Sequence, residues 1–384
     1  MTRGFFRIGV LGPLLVGLFA AADFASRWVP INVLAFRAWE SMITDIAPTG
    51  PFGANRYARN YWAHGDLATM ANAPELREYR DEAFTTDAYG YRNPPELADG
   101  KIPIKALLLG DSFGSGSGST DDEILSAQLG RLLGGPVYNL SGGDLAKLAD
   151  IRVAAKRLNF KEGVLIYQVC PATNVPPLHP PEVATFKDIP PAQAPPLADR
   201  VKARYENLKI SRLEILVARW KKRLLAIGKD PQKFESTGQV IITPMTNGKP
   251  ILFLRHDVAA AATDRSHNPE YFFALARELE KDHIKLVVAM VPTKYAVYAQ
   301  HLEKKEFAPP NRAGFTRLKT ALEAGGIPAV DLTDAMLAAS AEAFPRGEYL
   351  YWLDDTHWNP RGIRVAANEI HKLLVEKGLV PAKQ

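Results

Sequence analysis

The chain has 384 residues, of which 47% are hydrophobic and 23% charged, with a formal net charge of +5 and a single cysteine. This length and apolar content predict one large domain with an added segment, and one cysteine excludes an intramolecular disulfide. Ten basic and four acidic residues fall within 199–230, so the rest of the chain is close to neutral, which argues against a general nucleic-acid-binding surface.

The N-terminal segment resembles an export signal. Residues 8–22 are uncharged and largely apolar, and Arg3 and Arg7 precede them. This layout is typical of a signal peptide or a signal anchor over residues 1–24. Because flanking basic residues favour the cytoplasmic side of a membrane, we expect an uncleaved single-pass anchor in the inner membrane, followed by a periplasmic domain. Cleavage after the alanines at 20–22 would instead release the domain into the periplasm, and a helix buried in the core is the remaining interpretation.

A serine follows the first predicted strand of the domain. Residues 25–100 are predicted to be an irregular lead-in that packs on the domain. After it, the apolar run 104–109 is too short for a helix and ends at a glycine, so it predicts a buried strand. The next three residues are Gly110-Asp111-Ser112. A serine at a strand-to-helix junction presents its hydroxyl at the edge of the sheet, so Ser112 is either a nucleophile or merely a helix cap.

Strands and helices alternate from this point to residue 170. A flexible polar turn is predicted at 113–120, and then helix 121–133, strand 137–139, helix 145–158 and strand 164–169. This alternation predicts an α/β fold with a parallel sheet covered by helices on both faces. Cys170, at the end of the last strand, is predicted to be a packing residue.

A proline-rich stretch at 176–196 interrupts the alternation and marks an insertion over 176–256. The insertion contains a basic amphipathic helix and a predicted hairpin around Asn247-Gly248. The basic helix either lies solvated on the domain or binds an anionic membrane or an acidic polysaccharide. The alternation then resumes, with helices predicted at 269–280, 314–324 and 360–377 and strands at 285–290 and 329–332.

A partner for Ser112 lies near the other end of the chain, in the short loop Asp354-Asp355-Thr356-His357-Trp358. A serine hydroxyl needs a base to take its proton, and a carboxylate fixes the tautomer of that base. Among eight histidines, His357 alone follows a carboxylate by two residues in a loop that leads into a helix. It is therefore the predicted base.

Two other patterns are rejected as functional sites. The Gly/Ser run 114–120 lacks the Gly-Lys-Ser/Thr of a phosphate loop. His256, Asp257, Asp264 and His267 have no recognised metal-ligand spacing and are predicted to be loop residues before the next helix.

The two end motifs together resemble the SGNH (GDSL-type) hydrolase superfamily: Gly110-Asp111-Ser112 early in the chain and Asp355-Thr356-His357-Trp358 late in it. The Asp-x-His-Trp form resembles the branch that contains alginate O-acetyltransferases and related exported polysaccharide acetylation enzymes. Residues 86–93 and 291–294 match this branch as well. The resemblance implies a three-layer SGNH/flavodoxin-like fold.

The resemblance also implies a catalytic triad, in which Ser112 is the nucleophile, His357 the general base and Asp355 the carboxylate that orients it. Asp354 competes for the last role, because the wider superfamily places its aspartate three residues before the histidine. The Asp-x-His-Trp branch uses the nearer position, which favours Asp355.

An oxyanion hole is implied in the same way, formed by the Ser112 amide and by Gly143 or Gly142 after the next strand. Most relatives add an asparagine from a Gly-x-Asn-Asp block after the third strand. That block is missing here, and Asn174 is its weak counterpart.

The resemblance implies an O-acyl, chiefly O-acetyl, transferase or esterase that acts on a cell-envelope or secreted polysaccharide through an acyl-serine. That chemistry needs no metal or organic cofactor, and a membrane-embedded partner is implied as the supplier of the acyl group. Trp358 and Lys294 are candidate substrate-binding residues, with packing an equal alternative for Trp358. The catalytic domain is predicted to comprise 101–175 and 257–384. Transfer and hydrolysis stay open, and the alternative function is a catalytically inactive glycan-binding or scaffold protein of an acetylation complex.

Overall fold

The computed structural model describes residues 2–26, 50–71, 73–142, 148–170, 238–263 and 269–381. Gly143, Asn174, Asp264, His267, the proline-rich stretch and the predicted basic helix lie outside these ranges.

Twenty regular elements make up the described part of the chain. In chain order they are α1 (Thr2–Ser26), β1 (Tyr57–Ala63), α2 (Asp66–Met70), β2 (Arg80–Thr85), β3 (Ala106–Leu109), α3 (Ser112–Ser115), α4 (Leu125–Leu133), β4 (Val137–Asn139), α5 (Leu148–Arg157), β5 (Gly163–Val169), β6 (Val240–Pro244), β7 (Pro250–Leu254), α6 (Arg255–Ala262), α7 (Glu270–Glu280), β8 (Ile284–Met290), α8 (Lys294–Tyr298), α9 (Ala313–Ala324), β9 (Ala329–Asp331), α10 (Thr333–Ala343) and α11 (Pro360–Glu376).

Five parallel strands form the central sheet, in the order β4-β3-β5-β8-β9. Strands β3, β4, β5 and β8 are buried along nearly their whole length, as expected when helices cover both faces, and the edge strand β9 is partly buried. The prediction of a mixed α/β fold with a parallel central sheet is confirmed. The chain runs from β3 out to β4 and then returns across β3 to β5, so the winding direction changes between β3 and β5. This is the flavodoxin-like strand order, and ligands of open α/β sheets bind at the carboxyl ends of the strands at such a point.

Alternate strand residues enter two separate apolar cores, because successive side chains of a strand point to opposite faces. Leu108 and Ile166 pack in a core with α4, α10 and α11, whereas Leu107 and Leu165 pack in one with α5, α7 and α9. The sheet is therefore the middle of three layers.

Some local predictions were wrong. Helix α10 was not predicted, and α6 occupies a segment predicted to be a loop, so that His256 and Asp257 lie on a helix.

The predicted hairpin around Asn247-Gly248 is present as β6–β7. The lead-in is not irregular, because β1 and β2 pair there as an antiparallel hairpin and β2 alternates buried and half-buried residues.

Helix α1 covers the segment predicted to be a signal anchor. Within the part of the chain that the structure describes, no helix has both the length and the apolar character needed to cross a membrane. The membrane-spanning part of the prediction is therefore not supported.

Candidate active site

Ser112 lies at the carboxyl end of β3, as the first residue of the short helix α3. The Asp111 carboxylate caps this helix by accepting a hydrogen bond from the Phe113 amide at 2.9 Å. A Cβ at Gly110 would lie 2.3 Å from Gln168 Oε1, so a larger residue there would require the Gln168 side chain to move. The turn thus places a glycine, a capping aspartate and the serine in succession.

The structure brings Ser112, His357 and Asp355 together. His357 Nε2 lies 2.7 Å from Ser112 Oγ, and His357 Nδ1 lies 2.6 Å from Asp355 Oδ1. The network assigns the ring proton to Nδ1, since a carboxylate can only accept, and leaves Nε2 to accept the serine proton. His357 and Asp355 are buried, whereas Ser112 is partly exposed. The arrangement can therefore activate a serine that a substrate can reach.

Asp354 has different contacts from Asp355. Its carboxylate accepts hydrogen bonds from the amides of Gly65 and Glu78, at 2.6 and 2.9 Å, and from the guanidinium of Arg80 at 2.8 Å. Its side chain thus ties the catalytic loop, residues 353–358, to the β1–β2 hairpin. Of the two competing aspartates, the geometry favours Asp355 as the orienting carboxylate.

Arg80 is a site residue that sequence reasoning missed. Its side chain is buried, and its two terminal nitrogens bind Asp354 at 2.8 Å and Asp355 at 2.9 Å. The guanidinium also lies over the Trp352 ring, 4.4 Å from its centroid. One cation therefore compensates the charge of two adjacent buried carboxylates. By binding one oxygen of Asp355 it also fixes the orientation in which the other oxygen contacts His357.

Lys294, predicted as a substrate-binding residue, is buried against the catalytic loop. It is 2% exposed, and its ammonium donates to the backbone carbonyls of Leu353 and Asp355 at 2.8 and 2.9 Å. Burial lowers the pKa of Lys294 to about 8, although nearby carboxylates, of which Asp354 has the largest effect, oppose that shift. It is a positioning residue of the catalytic loop.

Trp358 is also a packing residue and offers no face for a sugar ring. It is fully buried, its indole N–H donates to the Phe113 carbonyl at 3.3 Å, and the two rings are 5.4 Å apart. Trp358 thus joins the catalytic loop to the helix that begins with Ser112.

The Gly/Ser run after Ser112 is not a flexible turn. Residues 113–119 are all buried. The buried guanidinium of Arg92 donates to the carbonyls of Ser115, Gly116 and Ser119 at 2.7–2.8 Å. These hydrogen bonds satisfy buried backbone carbonyls that the short Gly and Ser side chains of the run cannot satisfy. Arg92 therefore gives the motif 86–93 a structural role.

Only some of the predicted oxyanion donors can be described. The Gly142 amide donates to the Gly110 carbonyl at 3.2 Å, so this N–H is engaged within the turn. Gly143 and Asn174 lie outside the described residues. The side-chain amide of Gln168 is buried beside Gly110, and among the described residues it has no hydrogen-bond partner.

Asp66, Asp355 and His357 place three ligand-type atoms within 4.8 Å of one another. Each carboxylate is already bound by protein donors: Asp66 by the Thr356 amide and hydroxyl, and Asp355 by Arg80 and His357. The cluster is therefore part of the hydrogen-bonded support of the histidine.

Asp257 is a second site residue that sequence reasoning missed, since it was predicted to lie in a loop. Burial raises the pKa of Asp257 to about 6, Asp66 and Asp111 add to the shift, and His357 and Lys294 oppose it. Its Oδ1 is buried and has no partner among the described residues. The carboxyl therefore changes charge near pH 6, and His357 is one of the charged groups that affect its pKa.

Replacing Asp257 by asparagine is expected to remove a pH-dependent contribution to turnover. Below pH 6 Asp257 is protonated and neutral, whereas above pH 6 its charge stabilises the imidazolium that forms at His357. The ratio of wild-type to Asp257→Asn turnover of a small acetyl ester should thus rise from near one at pH 5 to about threefold to tenfold at pH 7.5, the scale of a charge pair worth ~1 kcal/mol. Superimposable pH–rate profiles would exclude this role.

The chain resembles known proteins at low identity. Residues 248–384 match the family model described as "SGNH hydrolase-like domain, acetyltransferase AlgX". A protein of Azotobacter vinelandii named "Probable alginate O-acetylase AlgJ" is 24% identical over 123 residues, which cover 32% of this chain and 30% of that protein. The protein of the same name from Pseudomonas syringae pv. tomato is 30% identical over 99 residues, which cover 26% and 24%.

The chain thus spans less than a third of the length of these relatives. A solved acetyl xylan esterase, AlAXEase, aligns at 13% identity with a TM-score of 0.32 over 70% of this chain and 98% of that chain, which is too weak to carry an argument. The family match contains Asp355 and His357 but not Ser112. Together the family and sequence matches confirm that the chain resembles the SGNH branch of alginate acetyltransferases.

Proposed function

We propose that this protein is a serine-dependent O-acetyltransferase that modifies a polysaccharide through an acetyl-serine at Ser112. The observation that carries the proposal is the chain of hydrogen bonds from the Ser112 hydroxyl through His357 to Asp355. The similarity to proteins named alginate O-acetylases supports acetyl as the acyl group and a polysaccharide as its acceptor.

In the proposed reaction, Ser112 Oγ attacks the carbonyl carbon of the donor while His357 Nε2 takes the serine proton. Asp355 stabilises the imidazolium, and the Ser112 amide donates to the oxyanion. The tetrahedral adduct then loses the donor's leaving group, which receives the proton from His357. A sugar hydroxyl next gives its proton to His357 Nε2 and attacks the acetyl carbon. Cleavage of the bond to Ser112 Oγ then forms the sugar ester, and His357 returns the proton to Ser112.

We place this reaction outside the cytoplasm. The apolar run 8–22 behind Arg3 and Arg7 supports export. An exported enzyme of this kind needs an acyl group supplied across the membrane, so the proposal includes a membrane-embedded partner that delivers it.

The choice between transfer and hydrolysis is tested by competition between two acceptors, sugar and water. The purified chain is incubated with a small activated acetyl ester and increasing amounts of an oligosaccharide, and acetylated sugar and free acetate are both measured. We expect acetylated sugar to increase at the expense of acetate, and Ser112→Ala to form neither. Acetate release that no oligosaccharide diminishes would identify an esterase, and no turnover at all would favour the inactive scaffold.

A further inference from the structure

Large aromatic side chains are exposed at one place beside the catalytic loop. Outside α1, four large apolar or aromatic side chains are exposed in the described ranges, and all four belong to the β1–β2 hairpin or the residue before β2. They are Tyr57 (64% exposed), Tyr61 (60%), Trp62 (68%) and Tyr79 (54%), and they are called the aromatic ridge below. An exposed cluster of aromatic side chains of this kind indicates a binding surface.

The backbone is shaped to expose these rings. The pairing of β1 with β2 shifts register between Asn60 and Ala63, and the Trp62 amide donates to Asn60 Oδ1 at 3.0 Å. This irregularity interrupts the alternation of the strand, so that the neighbours Tyr61 and Trp62 are both exposed. Bulges of this kind re-aim side chains and are frequent beside active sites.

The ridge alternates rings with polar groups. Trp62 and Tyr79 meet edge to face with centroids 5.8 Å apart, and His64 meets Tyr79 at 5.7 Å. Near Tyr61, the Arg59 guanidinium lies 4.6 Å from the ring centroid and binds Asp81 at 2.7 Å. In an edge-to-face pair only one of the two rings presents its face to the other, and the Arg59 guanidinium lies over the face of Tyr61.

The ridge is continuous with the candidate active site. Gly65, three residues after Trp62, donates its amide to Asp354, and a Cβ at Gly65 would lie 1.9 Å from the Asp354 carbonyl oxygen. Glu78 and Arg80, the neighbours of Tyr79, also bind Asp354. The short segments that carry the exposed rings are thus also the ones that hold the catalytic loop.

We propose that the aromatic ridge binds a carbohydrate chain and holds it beside Ser112. This inference rests on the proposed function. Flat rings with open faces stack on the C–H faces of pyranose rings, while Arg59, Asp81 and His64 bind hydroxyl groups at the rim. A protein partner would favour a continuous apolar patch with few charges at its centre, whereas here an exposed ion pair, Arg59–Asp81, lies against the Tyr61 ring.

The test is binding of oligosaccharides to the full chain by calorimetry, with no acyl donor present. One neutral β-glucan oligosaccharide and one uronic acid oligosaccharide are compared, so that stacking and charge recognition are distinguished. We expect at least one of them to bind, and the double variant Trp62→Ala/Tyr79→Ala to raise its dissociation constant about tenfold or more. The double variant Trp62→Phe/Tyr79→Phe should keep most of the affinity.

Tyr349→Ala is the matched control, because Tyr349 is a half-buried aromatic residue outside the hairpin whose hydroxyl accepts a bond from Asn247. It should leave the dissociation constant unchanged, and thermal unfolding should show that all variants fold. Binding that survives loss of both ridge rings, or no binding of either oligosaccharide, would overturn the inference. Ridge-dependent self-association in sedimentation would overturn it as well, in favour of a contact between copies. Since no turnover is involved, failure of the acyl chemistry does not affect this test.

Discussion

Replacing Ser112 or His357 by alanine is expected to lower kcat for a small acetyl ester by a factor on the order of 10⁴–10⁶. Without Ser112 there is no nucleophile to take the acyl group. Without His357 there is no base to accept the serine proton. Asp355→Asn should cost about 10⁴-fold, because an amide in contact with Nδ1 favours the wrong tautomer of His357. Initial rates at saturating ester concentration check all three.

Ser115→Ala is the matched control for Ser112→Ala. Ser115 is a buried serine of the same short helix, and its hydroxyl donates to the Ser112 carbonyl at 3.1 Å rather than facing His357. Its loss should change kcat by about threefold or less, the scale of one neutral hydrogen bond worth ~0.5 kcal/mol. Equal activity of Ser112→Ala and Ser115→Ala would contradict the assignment of the nucleophile.

Arg80→Met is expected to destabilise the protein by about 3–5 kcal/mol and also to impair turnover. The substitution keeps an apolar stem against Trp352 but removes the cation shared by Asp354 and Asp355, which are both fully buried. Two adjacent carboxylates are then left without their cation, and Asp355 loses the contact that fixes its second oxygen. Unfolding in urea measures the loss of stability. The loss of turnover is measured as kcat without urea, at a temperature well below the unfolding temperature of the variant.

Arg59→Met separates this effect from the loss of any arginine on the hairpin. Arg59 also pairs with an aspartate, Asp81, but the pair is exposed, and exposed ion pairs contribute little to stability. If the free energy of unfolding fell equally in Arg80→Met and Arg59→Met, the ion pairs of Arg80 would contribute no more than an exposed pair. Arg80 would then not be the support of the catalytic loop.

The parts of the fold that depend on local patterns could be predicted from the sequence. Strand β4 coincides with the predicted 137–139, and helix α11 begins at Pro360 behind its Asn359 cap. Both follow from short-range rules, burial of an apolar run and capping of a helix end. The pairing of Ser112 with His357 was predicted from the chemistry of the two motifs and from the resemblance, because no local pattern joins residues 245 positions apart.

The residues that support the site were missed for the same reason. Arg80 binds Asp354 across 274 positions, and nothing near Arg80 in the sequence distinguishes it from a surface arginine. The candidate role of Lys294 as a substrate ligand rests on the resemblance of residues 291–294, and no sequence pattern indicates that the catalytic loop supplies carbonyls that accept its hydrogen bonds. A flexible turn at 113–120 is predicted from composition alone, whereas in the structure Arg92 donates hydrogen bonds to carbonyls of this segment. The alanines of α6, good helix formers, did offer a signal that Asp257 lies on a helix.

The central claim, an acyl group carried on Ser112, is tested most directly by the mass of the protein. The full chain is incubated with the activated acetyl ester, quenched in acid within the first turnovers and digested for peptide mass spectrometry. The account predicts a single acetyl group on the peptide that contains Ser112, present in the wild type and in Ser115→Ala but absent from Ser112→Ala. Ester turnover with Ser112 unmodified, or with the acetyl group on another residue, would contradict it.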